Sequence, residues 1–161
     1  MKFKMLICAV LTIGLCHNVF AYDKNEPTEF QEMHVQISNQ TGKDCVSVQP
    51  AINVHGTYNA SAPAASITSN DTKMFDMKQT VVYGPDVILF YRCGVNSQGA
   101  DNNIQFEIVQ PYAWIQGQTP TVEIKQYHGL ALDTHVEGSS RFFHTMGQVI
   151  VTIKPNTIQA G

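Results

Sequence analysis

From Met33 onward the chain alternates. Met33, Val35 and Ile37 are separated by His34, Gln36 and Ser38, a period of two that puts one set on one face of a strand. Asn39-Gln40-Thr41-Gly42 reads as a turn. Val46 and Val48 alternate as far as Pro50, and Ile52 and Val54 follow briefly. Residues 56–66 are small and turn-prone and read as a long loop. From Ile67 to Lys78 the pattern is mixed, with Met74, Phe75 and Met77 as a poorly alternating strand.

Gly84-Pro85-Asp86 breaks the chain before Val87–Cys93. That run is apolar at successive positions, which predicts a central strand buried on both faces, with Cys93 on the face of Val87, Leu89 and Tyr91. Residues 94–103 read as a loop. Ile104, Phe106 and Ile108 form a half-buried strand stopped by Pro111. Val122, Ile124 and Gln126 oppose Glu123, Lys125 and Tyr127; Leu130, Leu132, Thr134 and Val136 alternate again; Val149, Val151 and Ile153 close the series before Pro155. Beyond residue 21 no stretch of ten residues carries helical periodicity. Many short strands with frequent turn signals predict an all-β fold, a single antiparallel β-sandwich over residues 33–155. Residues 22–32 form a polar lead-in and 156–161 a tail.

The start of the chain has another pattern. Lys2 and Lys4 precede an apolar run from Met5 to Leu15, and Val19-Phe20-Ala21 ends on a small residue before polar sequence resumes. This is the layout of a cleavable secretory signal over residues 1–21, and the apolar run is short of the roughly 20 residues that span a bilayer. No later apolar run approaches that length, so no transmembrane span is expected. Removing the signal takes two of the ten basic residues and leaves eight against thirteen acidic ones, a net charge near −5. The bases never cluster, which argues against nucleic acid as a partner. The signal also carries Cys8 and Cys16, so Cys45 and Cys93 remain. In an oxidising compartment an even pair is most simply a disulfide.

Candidate chemistry is sparse. No G-x-S-x-G elbow is present; Ser139 and Ser140 follow Gly138 in a turn. Acidic residues are spread singly, without the paired carboxylates of glycosidase chemistry. His34, His55, His128, His135 and His144 show no H-x-H or H-E-x-x-H spacing, so neither a metal nor a cofactor is expected. Three glycosylation sequons begin at Asn39, Asn59 and Asn70. The most suggestive segments are aromatic: Tyr112 and Trp114, the only tryptophan, follow the strand that ends near Pro111, and Phe142 and Phe143 lie in a second predicted loop. Such rings either cap the core or, in exposed loops, stack on sugars and settle at lipid headgroups.

Several short motifs resemble the cytolysin-like β-sandwiches, the actinoporins and aegerolysins. Ile37–Gly42 resembles their first core strand running into an Asn-x-Thr-Gly turn, Gly84–Tyr91 their central apolar strand, Pro111-Tyr112 their Pro-Tyr after the next strand, and Gly147–Ile153 their closing strand. The resemblance implies a β-sandwich, and for Tyr112 a place in an aromatic lipid-headgroup site. Residues 22–32 are too short and polar to match the pore-forming helix of actinoporins. The expectation is a secreted, non-catalytic binding module that recognises a lipid headgroup, a glycan or a surface protein through Tyr112, Trp114, Phe142 and Phe143. The alternatives are a structural or interaction protein of the envelope or extracellular space, and a hydrolase whose site is assembled from scattered residues.

Overall fold

The computed structural model describes residues 31–113, 116–143 and 145–156. The expected signal segment, nearly all of the polar lead-in, Trp114, Ile115, His144 and residues 157–161 lie outside the described residues. Eleven strands are described: β1 (Glu32–Asn39), β2 (Cys45–Ser47), β3 (Ile52–His55), β4 (Thr57–Tyr58), β5 (Ser66–Ile67), β6 (Thr72–Lys78), β7 (Asp86–Val95), β8 (Asp101–Val109), β9 (Thr121–His128), β10 (Leu130–Glu137) and β11 (Gly147–Pro155). They build two sheets, one ordered β10-β11-β1-β6-β4 and the other β5-β2-β7-β8-β9, with β3 also paired to β7. The expected all-β sandwich is what the chain forms. No helix among the described residues is long and apolar enough to cross a membrane.

The alternation read from the sequence is the burial pattern of the core strands. Met33, Val35 and Ile37 of β1, Phe75 and Met77 of β6, and Val149, Val151 and Ile153 of β11 face inward from the first sheet. Val87, Leu89 and Tyr91 of β7 and Ile104, Phe106 and Ile108 of β8 meet them from the second. Cys45 and Cys93 are direct cross-strand partners of β2 and β7 and are joined by the expected disulfide. Within this antiparallel scaffold β1 and β11 run parallel, with Met33 opposite Gly147 and Asn39 opposite Ile153.

Two readings are corrected. β7 is buried on one face only: Ile88 and Phe90 are half-covered and Arg92 is exposed. β7 is central, but among the described residues no second layer covers the outer face of its sheet, so its apolar run reflects strand propensity more than two-sided burial. Residues 56–66 are not one loop. Thr57-Tyr58 pairs with β6 and Ser66 with β2; strands this short carry too few residues for periodicity to register.

Asn39 closes β1 from inside. It is wholly buried, and its Nδ2 donates to the carbonyls of Lys43 (2.7 Å), Ile67 (2.9 Å) and Thr68 (3.2 Å), while its Oδ1 accepts from the Thr41 amide (3.0 Å). The first of the three sequons is therefore sealed by the fold; Asn59 and Asn70 are exposed.

Candidate functional site: the apolar loop end

Strand directions sort the loops into two ends. At one end lie the segments 40–44, 68–71 and 96–100, made almost entirely of Asn, Gln, Ser, Thr, Lys, Asp and Gly. The disulfide staples the sheet near this polar end. At the other end three loops, 79–85, 110–120 and 138–146, meet.

The first of these is a tight turn. The Thr80 amide donates to the Tyr83 carbonyl (2.9 Å) and the Tyr83 amide to the Thr80 hydroxyl (3.2 Å), so Val81 and Val82 stand at its tip, 87% and 65% exposed. The Tyr83 ring stacks on His55 at 4.2 Å between centroids. His55 in turn lies 3.6 Å from a carboxylate oxygen of Asp86. Burial, with Glu107 adding repulsion, holds the Asp86 carboxyl above the usual carboxylate range.

The second loop is clamped to the first. Gln79 makes a reciprocal pair with Ala113, donating to its carbonyl (2.8 Å) and accepting from its amide (2.9 Å). The Gln110 amide donates to the Pro85 carbonyl (2.9 Å) and its buried side chain to the Glu32 carbonyl (3.3 Å). Gly84 is needed here, because a Cβ would run into the backbone of Gln110 and Pro111. Tyr112 emerges between these anchors, 37% exposed.

The third loop leans on the second. The amides of Ser139 and Gln118 donate to the Gln118 carbonyl and the Ser139 hydroxyl, each at 2.9 Å. Ser140 and Thr145 exchange two backbone bonds of 2.9 Å. That bridge pushes out the tip between them, where Phe142 is 94% and Phe143 81% exposed.

Of the sequence-derived site residues, Tyr112, Phe142 and Phe143 thus come to one end and reach solvent rather than capping the core, while the placement of Trp114 lies outside the described residues. Val81, Val82 and Tyr83 were missed. Their signal was three apolar or aromatic residues in a row just before a Gly-Pro break, where a turn would ordinarily be polar. All six tip residues are uncharged. Exposed apolar side chains gathered at one end in this way mark a candidate interaction face; Arg141, also exposed, stands next to Phe142 on the third tip. The described histidines do not converge: His34 pairs with Asp76, His55 lies beside Asp86, His128 pairs with the Asp101 carbonyl and His135 with Glu137. Among the described residues no group of three His, Cys, Asp or Glu side chains could hold a metal ion.

No family model and no curated protein matches the sequence. Solved structures share the fold. The lipid-binding protein Nakanori superposes with a TM-score of 0.53 at 11% identity, covering 76% of this chain and 69% of that one. IP-1A from Alcaligenes faecalis also gives 0.53 at 11% identity, over 83% and 96%. RahU, crystallised with a TRIS molecule, gives 0.53 at 10% identity, over 80% and 98%. These identities bear on architecture. They support the β-sandwich that the sequence resemblance implied and do not extend to membership of the actinoporins or aegerolysins.

Proposed function

We propose that the chain is a secreted, non-catalytic module that docks on a lipid surface through its apolar loop end. The observation that carries this reading is the set of uncharged tips, Val81, Val82, Phe142 and Phe143, held outward by three mutually braced loops and flanked by Tyr83 and Tyr112. Aliphatic and Phe side chains gain about 1.5 to 3 kcal/mol each on full transfer from water to an apolar phase, and tyrosines settle at the headgroup boundary. At the opposite end the loops 40–44, 68–71 and 96–100 are polar, and Val95 and Tyr127 are exposed singly beside them. The description of Nakanori as a lipid-binding protein supports the choice of a lipid over a glycan or a protein, and the disulfide fits an oxidising, extracytoplasmic setting.

The test is flotation with neutral phosphatidylcholine vesicles. The chain floats with the vesicles and does so equally at high salt, because the inserting side chains carry no charge and neutral vesicles offer no net charge to the exposed Arg141. The double variants Val81→Ser/Val82→Ser and Phe142→Ser/Phe143→Ser each lower partitioning at least about tenfold while leaving the thermal midpoint in place. Unchanged flotation of both variants, or a chain that stays with the soluble fraction, removes this reading. Retention on a glycan or protein ligand through the same residues would replace it.

A further inference from the structure

A free strand edge is a row of unpaired N–H and C=O groups that invites a further strand, and folds ordinarily blunt it. Most edges of this sandwich are blunted. β4 and β5 are two residues long, and β3 is four long with a shifted register against β7. β9 breaks its register against β8 at Lys125, a bulge that carries a lysine. β10 is built otherwise. It edges the first sheet, its eight residues pair one to one with β11 without a shift, and it holds neither proline nor lysine. Among the described residues no strand lies against its outer side. Asp133, Thr134 and His135 at its middle are exposed.

We infer that β10 pairs with β10 of a second copy of this chain, antiparallel about a twofold axis at Thr134, so that one sheet runs through both subunits. Cross-strand partners share a face. With Thr134 opposite the partner's Thr134, Leu132 stands opposite the partner's Val136, both on the face that already packs on the core. On the outer face Asp133 stands opposite the partner's His135, and the twofold repeats the contact. A His ring N–H donates to a carboxylate whether the ring is neutral or protonated. In the single chain Asp133 meets Lys154 and His135 meets Glu137, exposed pairs that cost little to rearrange. Sliding the register by two residues sets Asp133 against the partner's Asp133 in one direction and against the partner's Glu137 in the other, and like charges directly opposite are unfavourable. Because β10 runs toward the loop end at Glu137, antiparallel pairing sends the two loop ends to opposite poles. Such a dimer bridges two lipid surfaces; the bridging rests on the docking proposed above, and the dimer does not.

Sedimentation velocity without lipid, at about 0.1 mM chain, where a micromolar dimer is filled, gives a dimer. His135→Asp sets carboxylate against carboxylate at both symmetric contacts and raises the dissociation constant at least about tenfold, with an unchanged circular dichroism spectrum. Asp133→His/His135→Asp restores the dimer. Thr134→Cys gives a disulfide-linked dimer in air, since Cβ atoms directly opposite lie within bridging distance, and Ala131→Cys does not. With neutral phosphatidylcholine vesicles the chain causes clustering, followed by dynamic light scattering, whereas His135→Asp floats with the vesicles and leaves them separate. Phe142→Ser/Phe143→Ser still dimerises, so loss of docking and loss of the dimer are read apart. A chain that sediments as a monomer, a dimer that His135→Asp leaves intact, or a crosslink through Ala131→Cys in place of Thr134→Cys overturns the pairing. A dimer that floats and leaves vesicles separate overturns the opposed loop ends.

Discussion

The side chain of Asn39 gives the sharpest test of how the polar end is held. Its amide nitrogen faces three carbonyls, of Lys43, Ile67 and Thr68, and its oxygen takes the Thr41 amide. The oxygen also takes the Thr41 hydroxyl (2.8 Å), so two N–H groups and two accepted bonds amount to about four net bonds at roughly 1 kcal/mol each, and Asn39→Ala loses about 4 kcal/mol. Asn39→Asp is nearly isosteric and keeps the acceptor, yet it turns an oxygen toward those three carbonyls in a site that is 0% exposed. The ionised form has no donor to offer the three carbonyls and no cation beside it, and a buried charge without its counter-charge costs about 3 to 5 kcal/mol, of which the two Thr41 donors offset a part. The Asp variant is therefore the less stable of the two at pH 7.5. Its carboxyl titrates above the ordinary value in the folded chain, so the penalty is present at neutral pH and fades as pH falls through that raised value. Urea denaturation followed by circular dichroism at pH 7.5 and pH 4.5 measures both terms. An Asp variant more stable than the Ala variant at pH 7.5, or one whose stability relative to wild type does not recover on acidification, refutes the reasoning.

Three further outcomes follow. Replacing both cysteines, Cys45→Ala with Cys93→Ala, opens a closure between residues 48 apart and costs about 4 kcal/mol in the chain-entropy model, read as a lower urea midpoint; an unchanged midpoint contradicts it. Asp86→Asn removes a carboxyl held above its ordinary value by burial, so it raises stability at pH 7, and the gain disappears as pH falls through that raised value and wild-type Asp86 protonates; a variant less stable at pH 7 would show that the His55 contact outweighs burial. Gly84→Ala forces a Cβ into the backbone of Gln110 and Pro111, costs about 2 kcal/mol or more, and lowers vesicle flotation by parting two of the three loops; a neutral result in chemical denaturation counts against their close packing.

The strands that carry the core were legible because their alternation is physically complete. In β1, in β8 from Ile104 on, and in β11 every second side chain is buried, and period two is the one signal a half-buried strand must leave. β9 shows the limit: Val122, Ile124 and Gln126 alternate with Glu123, Lys125 and Tyr127, yet nearly all of the strand is exposed because it edges its sheet. Periodicity reports faces and carries no information about neighbours, so the parallel placement of β11 beside β1 was invisible. At the site, Tyr112, Phe142 and Phe143 were visible as aromatics outside strands. What joined them to Val81 and Val82 was not, since Gln79 reaches Ala113 and Ser139 reaches Gln118 across the chain.

The side-by-side β1 and β11 bear on when the domain can exist at all. Met33 pairs with Gly147 and Ile37 with Val151, contacts separated by more than a hundred residues. Contacts this distant in sequence slow folding, because the chain must bear the closure entropy before they form. The first sheet therefore stays split between β10 on one side and β6 on the other until the final strand arrives. The domain thus closes late: a chain cut before residue 147 leaves β10 and β1 without the strand that joins them.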